Sequence, residues 1–113
     1  MATPLVTFVH DGDAIDYTPS SAVDGGDVVV QGDLVGVAKL DIAADAKGAL
    51  HVSGVFDFPK STGSSTALTA GTKVYWDASN EVVTSTASTH KLVGKVVAAA
   101  TDSAATVRVR MSQ

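Results

Sequence analysis

The chain has 113 residues, of which 45 % are hydrophobic and 18 % are charged, and its formal net charge at pH 7 is −4. It contains no cysteine, which excludes disulfides, thiolate metal sites and cysteine nucleophiles. One domain is expected at this length, and neither a membrane nor a nucleic acid is expected as a partner, because the chain has no long apolar run and no net positive charge.

The first apolar segment is residues 5–9, which predicts an extended arm or an edge strand. We expect residues 1–12 to form this N-terminal arm or strand and residues 13–113 to form a single β-rich domain. Residues 11–16 contain three Asp, but they lack the Gly and Glu positions of a calcium loop, so an acidic turn is expected there.

The rest of the chain is rich in short segments that predict strands, with β-branched residues or period-two alternation. These segments are residues 28–30, 34–40, 50–58, 73–76, 81–83, 92–97 and 106–111. In the last of them, Val107 and Val109 share one face while Arg108 and Arg110 share the other, which is typical of a strand with one solvated face. Turn-forming residues separate the segments, so the pattern predicts a small, compact all-β domain, either a β-barrel or a β-sandwich-like fold.

Two connecting segments have a distinctive composition. Residues 41–47 are Ala-rich, begin with Asp and are followed by Gly48, so they can accommodate one short turn of helix. Residues 61–67 have the sequence STGSSTA, which is typical of a flexible surface loop.

A weak internal similarity links the two halves of the chain. The sequence GDVV at 26–29 precedes LVG at 34–36, and GTKV at 71–74 precedes LVG at 92–94. The two spacings differ by more than ten residues. The similarity is therefore open to two interpretations, a duplicated supersecondary unit or a coincidence in a chain rich in Val and Gly.

Charge is distributed unevenly along the chain. The first 33 residues contain six Asp and no Lys or Arg, whereas the remaining 80 contain six acidic and eight basic residues. The acidic segment is interpreted either as a solvated loop or as a feature that orients a subunit within an assembly.

No catalytic or cofactor-binding motif is present. His10, His51 and His90 lie about 40 residues apart and have no metal-ligand spacing. The chain contains neither the Gly-x-Ser-x-Gly sequence of hydrolases nor a phosphate-binding Walker loop. We therefore expect a protein that is not an enzyme and has no cofactor or metal.

The scarce aromatic residues are candidates for packing, because their large apolar area anchors both cores and interfaces. Four of them, with two valines of the last predicted strand, form a set expected in the core or in an interface between subunits. The members of this set are Phe56, Phe58, Tyr75, Trp76, Val107 and Val109.

Two segments are more distinctive than the rest, GVFDFPK at 54–60 and AGTKVYWD at 70–77. With shorter matches at 12–13, 26–29, 34–38, 68–69, 92–94 and 107–111, they extend over nearly the whole chain in one order. On these segments the chain resembles a phage-encoded family of small capsid cement (head decoration) proteins.

The resemblance implies a compact β-rich protein that binds the outer surface of the mature phage head as a homotrimer and stabilises the shell. Its partners would be the major capsid protein and itself. Its location would be the virion surface, after a period in the host cytoplasm. We expect the apolar arm to contact the capsid, and acidic residues between 11 and 33 to complement a basic patch on the shell. The candidate capsid-contact residues are Leu5, Val6, Phe8, Val9, Asp11 and Asp13.

Three other functions are compatible with the composition. A head-fibre base or tail component would share the symmetry but occur in fewer copies per particle. A carbohydrate-binding β module usually presents several exposed aromatic residues, and only 5 % of this chain is aromatic. A small hydrolase is disfavoured because its motifs are absent.

Overall fold

The computed structural model describes residues 5–113 and has an all-β architecture of nine strands. In chain order the strands are β1 (Ala14–Tyr17), β2 (Val28–Gln31), β3 (Leu34–Val37), β4 (Gly48–His51), β5 (Gly54–Pro59), β6 (Lys73–Asp77), β7 (Val82–Thr84), β8 (Lys91–Ala98) and β9 (Thr106–Met111). They form two sheets. The small sheet has the order β1-β4-β3-β2 and the large sheet has the order β5-β9-β8-β6-β7. The predicted all-β fold is confirmed. It is sandwich-like and not a closed barrel.

A Val-rich core joins the two sheets. Alternating residues of the large sheet point inward, among them Phe58, Val74, Val93 and Val109, each at most 2 % exposed. The small sheet contributes β3, whose Val35 and Val37 belong to the same cluster. Alternation therefore places one face of β3 against the inner face of the large sheet.

The opposite face of the small sheet has a second, smaller core. Leu50 and Ala38 are fully buried there together with Ile42, and the partly buried Ile15 and Val29 pack against them. These side chains are shielded by the long connections that lead into β2 and out of β3. β3 is thus buried on both faces, because Gly36 between its two valines lies against Leu50.

The short helix that residues 41–47 could have formed is absent, and no helix of any kind, nor one that could span a membrane, occurs within residues 5–113. The backbone of this segment bonds instead to the connection before β2. Ile42 and Val23 exchange two hydrogen bonds of 2.8 Å, and the N–H of Asp45 donates to the carbonyl of Pro19. Asp45 also has φ 61°, which a right-handed helix excludes.

The strands differ from the predicted ones at four places. The segment 50–58 is divided between β4 and β5, which belong to different sheets, and Gly54 has φ 120° at the break. The run 34–40 ends as a strand at Val37. β1 was not predicted, because its sequence AIDY follows an acidic stretch that indicates a turn. Residues 5–9 do not form a strand.

The two sheets repeat one topology. In the small sheet the first strand pairs with the fourth, the fourth with the third and the third with the second. The large sheet has the same order if β5, β6, β8 and β9 correspond to β1, β2, β3 and β4. The similar sequences at 26–29 and 71–74 then lead into equivalent strands, and the two LVG sequences lie opposite them.

Backbone hydrogen bonds support this correspondence. Gly26, with φ 95°, donates its N–H to Ala38, and Gly71, with φ 91°, donates its N–H to Val96 at the equivalent place. Each half also has one isolated antiparallel bridge next to this hydrogen bond, between Val23 and Ile42 in the first half and between Leu68 and Ala100 in the second. The internal similarity therefore corresponds to a structural repeat.

The halves differ in how their edges are covered. β7 lies between β6 and β8 in sequence and pairs with the outer edge of β6, whereas β2 at the equivalent position is an edge strand. A bridge between Lys60 and Val83 also connects β7 to the residue after β5. Lys60 is only 5 % exposed, and its Nζ donates to the carbonyl of Ser61 and the hydroxyl of Thr66.

Close approach of β8 and β9 requires a residue without a side chain. A Cβ at position 94 would overlap the carbonyl oxygen of Arg110 and approach the backbone N of Ser112 to 2.9 Å. The register of β8 shifts on both sides of this position, between Val74 and Tyr75 on β6 and between Val96 and Ala98 within β8. Gly94 therefore permits two irregularities in one central strand.

We predict that Gly94→Ala lowers the free energy of unfolding by about 3 kcal/mol or more, because rigid backbone cannot move away from the added methyl group. Gly12→Ala is the matched control, since nothing lies within 4 Å of its Cβ position. The control should change stability by less than about 0.5 kcal/mol. Chemical denaturation of both variants measures the difference, and equal midpoints would contradict the account.

The side chain of Gln113 completes the backbone pairing of β3. β4 pairs with β3 only at Val37 and His51, so Val35 has no strand partner on that side. The side chain of Gln113 takes the place of that strand partner. Its Oε1 accepts the N–H of Val35 at 2.7 Å, and its Nε2 donates to the carbonyl of Val35 at 2.7 Å. The end of the chain thus connects the large sheet to the small one.

Gln113→Ala should destabilise the protein by about 1–3 kcal/mol, because it leaves two backbone groups of a buried residue without partners. Gln113→Glu should also destabilise, since it keeps the acceptor for the N–H of Val35 but places a carboxylate oxygen against the carbonyl of Val35. Ser112→Ala serves as the control, because its backbone bond to Val93 is retained. If thermal melts of the three variants coincide, the Gln113 side chain does not contribute to the connection.

Candidate interaction surfaces

The structure does not gather metal-binding groups among residues 5–113. No cluster of three or more His, Asp or Glu side chains capable of holding a metal occurs in this range. His51 belongs to β4, His10 to the arm and His90 to the loop before β8. The features that stand out are surfaces.

The first surface is the N-terminal arm, defined as residues 5–12. Its four large apolar side chains, Leu5, Val6, Phe8 and Val9, are between 78 % and 101 % exposed. Isolated exposed apolar residues are common on protein surfaces, but four within five residues form a patch. The other residues assigned to the predicted arm, 1–4, lie outside the described part of the chain.

Asp13 attaches the arm to the small sheet. Its carbonyl accepts the N–H of Val52 at 2.9 Å, and its carboxylate accepts the hydroxyl of Ser53 at 2.8 Å. Asp11 is exposed two residues earlier. Of the six candidate capsid-contact residues, five therefore belong to the exposed arm and Asp13 to its attachment point.

Several acidic side chains of the N-terminal third already have partners within the subunit. Asp16 forms an ion pair with Lys47 at 3.2 Å, and Asp33 forms one with Lys91 at 2.6 Å. The carboxylate of Asp27 accepts the backbone N–H of Asp24. Asp11 and Asp24 make no side-chain ion pair within residues 5–113. The negative charge available to a partner is thus smaller than the sequence count suggests.

Ion pairing and hydrogen bonding lower the pKa of three carboxylates. The hydrogen bond from Lys91 lowers the pKa of Asp33, and the one from Arg108 lowers the pKa of Asp57. The pKa of Asp77 is also lowered, chiefly by the side-chain amide of Asn80 in the β6–β7 turn. All three are solvent-accessible and remain ionised at neutral pH, so they belong to the electrostatic surface and not to a proton-transfer site.

The six residues expected in the core or in a trimer interface have different locations. Phe58, Trp76, Val107 and Val109 are buried within the subunit itself, with Phe58 and Trp76 edge to face at 6.3 Å between ring centroids. Phe56 is partly buried against that core and has Lys39 over its ring. Tyr75 is partly exposed on β6.

The outer face of the large sheet is a second candidate surface. Lys73, Lys95 and Arg110 lie directly opposite one another on β6, β8 and β9. Val55 lies opposite Arg110 on β5 and is 57 % exposed. Sequence reasoning did not identify Val55, although the inward-facing Phe56 and Phe58 imply by alternation that residue 55 points outward.

A third surface is a groove of about 510 Å³ beside β2. Its apolar lining includes Val23, Val28, Val30 and Trp76. Asp27 and Glu81 also line it, and no Lys or Arg is present among the residues that form it. Val30 is 37 % exposed, which is more than any other residue of the β2 valine run.

Comparison with known proteins gives one match. A protein-family model described as phage cement protein matches residues 9–111, which include all nine strands. None of the curated proteins and none of the solved structures compared with the chain matches it.

Proposed function

The chain belongs to the phage cement protein family, and we propose that it binds the outer surface of the mature phage head as trimers and stabilises the shell. Membership makes it a phage structural protein associated with the capsid. The outer surface, the trimer and the stabilisation are the proposal.

The observation that carries the proposal is the extent of the family match, from residue 9 to residue 111. The surfaces of the subunit are consistent with it. A chain with an exposed apolar arm and charged sheet faces has features suited to binding other proteins.

We propose that the arm contacts the major capsid protein. Burying a large apolar side chain contributes roughly 1.5–3 kcal/mol, while ordering the backbone costs about 1–2 kcal/mol per residue. Four such side chains in five residues therefore leave a small net gain for one copy. A trimer multiplies this gain, because the second and third arms bind at a high effective concentration once the first is bound.

Stabilisation of the shell then follows from preferential binding. A protein that binds the expanded mature shell more tightly than its precursor shifts the equilibrium toward the expanded form. The stabilisation increases with the number of occupied sites, since it is a mass-action effect. Symmetric placement around local threefold axes allows one short chain to cover many equivalent positions.

Deleting residues 2–9 should abolish binding to heads while leaving the trimer intact, because the arm lies outside both cores. Co-sedimentation with heads and light scattering of the free protein measure the two properties. As a full-length alternative, Leu5→Ser combined with Phe8→Ser should weaken binding, whereas Thr7→Ser should not. Unchanged binding after deletion would refute the role of the arm.

We also propose that the unpaired acidic residues between 11 and 33 complement a basic patch on the shell, so attachment should weaken as ionic strength rises. Asp11→Asn and Asp24→Asn should reduce this salt dependence. Asp16→Asn is the matched control, because its charge is already paired with Lys47. Attachment that is insensitive to salt would point to an apolar interface instead.

A further inference from the structure

We propose that the open edge of β2 is the position at which an extended segment of the shell protein adds to the small sheet as a fifth strand. This inference rests on the proposed function, since it assigns one contact of the subunit with the shell. It is independent of the arm, which leaves the small sheet from β1 at the opposite edge.

The backbone of β2 has groups free to pair. Partners in an antiparallel pair alternate between those that exchange backbone hydrogen bonds and those that do not. Val35 directs its N–H and carbonyl to Gln113, away from β2. Its partner Val30 therefore directs its own groups away from β3, toward the open edge, and Val28 does the same two residues earlier.

In the second half of the chain, a strand covers the equivalent edge. β6 is the counterpart of β2, and its outer edge is occupied by β7 through the pairs Tyr75–Thr84, Trp76–Val83 and Asp77–Val82. The position beyond β2 has no strand within residues 5–113. The repeat thus provides, within one chain, an occupied and an unoccupied version of the same site. Strand addition to an exposed edge is a general mode of peptide recognition.

The groove beside β2 defines the chemistry of the added segment. Its walls are apolar, with Val23, Val28 and Trp76 among them, so the segment needs apolar side chains on one face. Asp27 and Glu81 add negative charge without a cation among the lining residues. A segment that carries a Lys or Arg is therefore favoured over a neutral or acidic one.

The charge of the lining also disfavours the arm of a second copy as the occupant. Residues 5–13 contain Asp11 and Asp13 and no Lys or Arg. Seating this segment beside Asp27 and Glu81 would bring like charges together. A basic, extended segment of the shell protein meets both requirements, and it also agrees with the basic patch proposed for the shell.

The test compares two substitutions at one edge position by co-sedimentation with purified heads. Val30→Pro removes the outward N–H and places a proline ring on the edge, where proline is compatible with the strand itself. Val30→Thr keeps the N–H and the β-branched shape. We expect Val30→Pro to weaken binding by about tenfold and Val30→Thr to change it by less than about twofold.

Two further measurements keep the test valid if Val30→Pro does not fold, which its circular dichroism and thermal melt will show. In the wild-type protein, backbone amides of residues 28–31 should exchange more slowly on heads than in solution. Glu81→Lys should weaken binding about fivefold at low salt, with little difference from wild type at high salt.

The outcomes separate this inference from the function on which it rests. If wild-type protein binds heads but the amides of 28–31 are not protected and folded Val30→Pro binds normally, the edge is not used and the inference is wrong. If Val30→Pro disrupts the trimer instead, the occupant is a second copy and the inference is also wrong. If wild-type protein does not bind heads at all, the proposed function and the inference fail together.

Discussion

The packing of β3 between the two cores is the constraint on which the rest of the structure depends. Val35 and Val37 pack into the core of the large sheet, and Gly36 between them receives Leu50 from the other side. A chain with only six aromatic residues gains its core from valines, which are short, so the two sheets must approach closely. Within the sheets, the absence of a side chain leaves room for Leu50 at Gly36 and allows β8 and β9 to approach closely at Gly94.

The structural repeat places one topology in two settings. In the large sheet, β7 covers the outer edge, and the Lys60–Val83 bridge brings the two margins of the sheet together. In the small sheet, the equivalent edge is open and the adjoining connections carry acidic residues. The large sheet thus supplies most of the core, while the small sheet presents the arm, the open edge and the unpaired acidic groups. This division explains how a small subunit can be stable and still present surfaces for assembly.

Much of the fold follows from the sequence, because period-two alternation and turn residues are local signals. The seven predicted segments cover eight of the nine strands, and alternation identifies the inward face of β9, where Val107 and Val109 alternate with Arg108 and Arg110. β1 escapes prediction because it has only four residues and follows an acidic stretch that indicates a turn, and tertiary pairing with β4 determines its conformation. The helical turn that residues 41–47 could accommodate does not form, for a related reason: bonds to residues 19–23 outweigh the local preference of its alanines.

The candidate surfaces are less predictable than the fold. Exposure of Leu5 or Phe8 cannot be read from apolar character alone, and the pairing of Asp33 with Lys91 joins residues 58 positions apart. Burial of Phe58 and Trp76 within one subunit likewise depends on how the sheets pack. The open edge of β2 becomes apparent only when it is compared with β6, because the sequences of the two strands share little beyond valine.

Quantitative mass spectrometry of purified phage particles tests the central claim most directly, by counting copies of this chain per copy of the major capsid protein. A cement protein placed as trimers around the shell predicts a ratio of roughly one to one. A ratio of a few per hundred would place the protein at a vertex or in the tail, and its absence from particles would contradict a structural role in the virion.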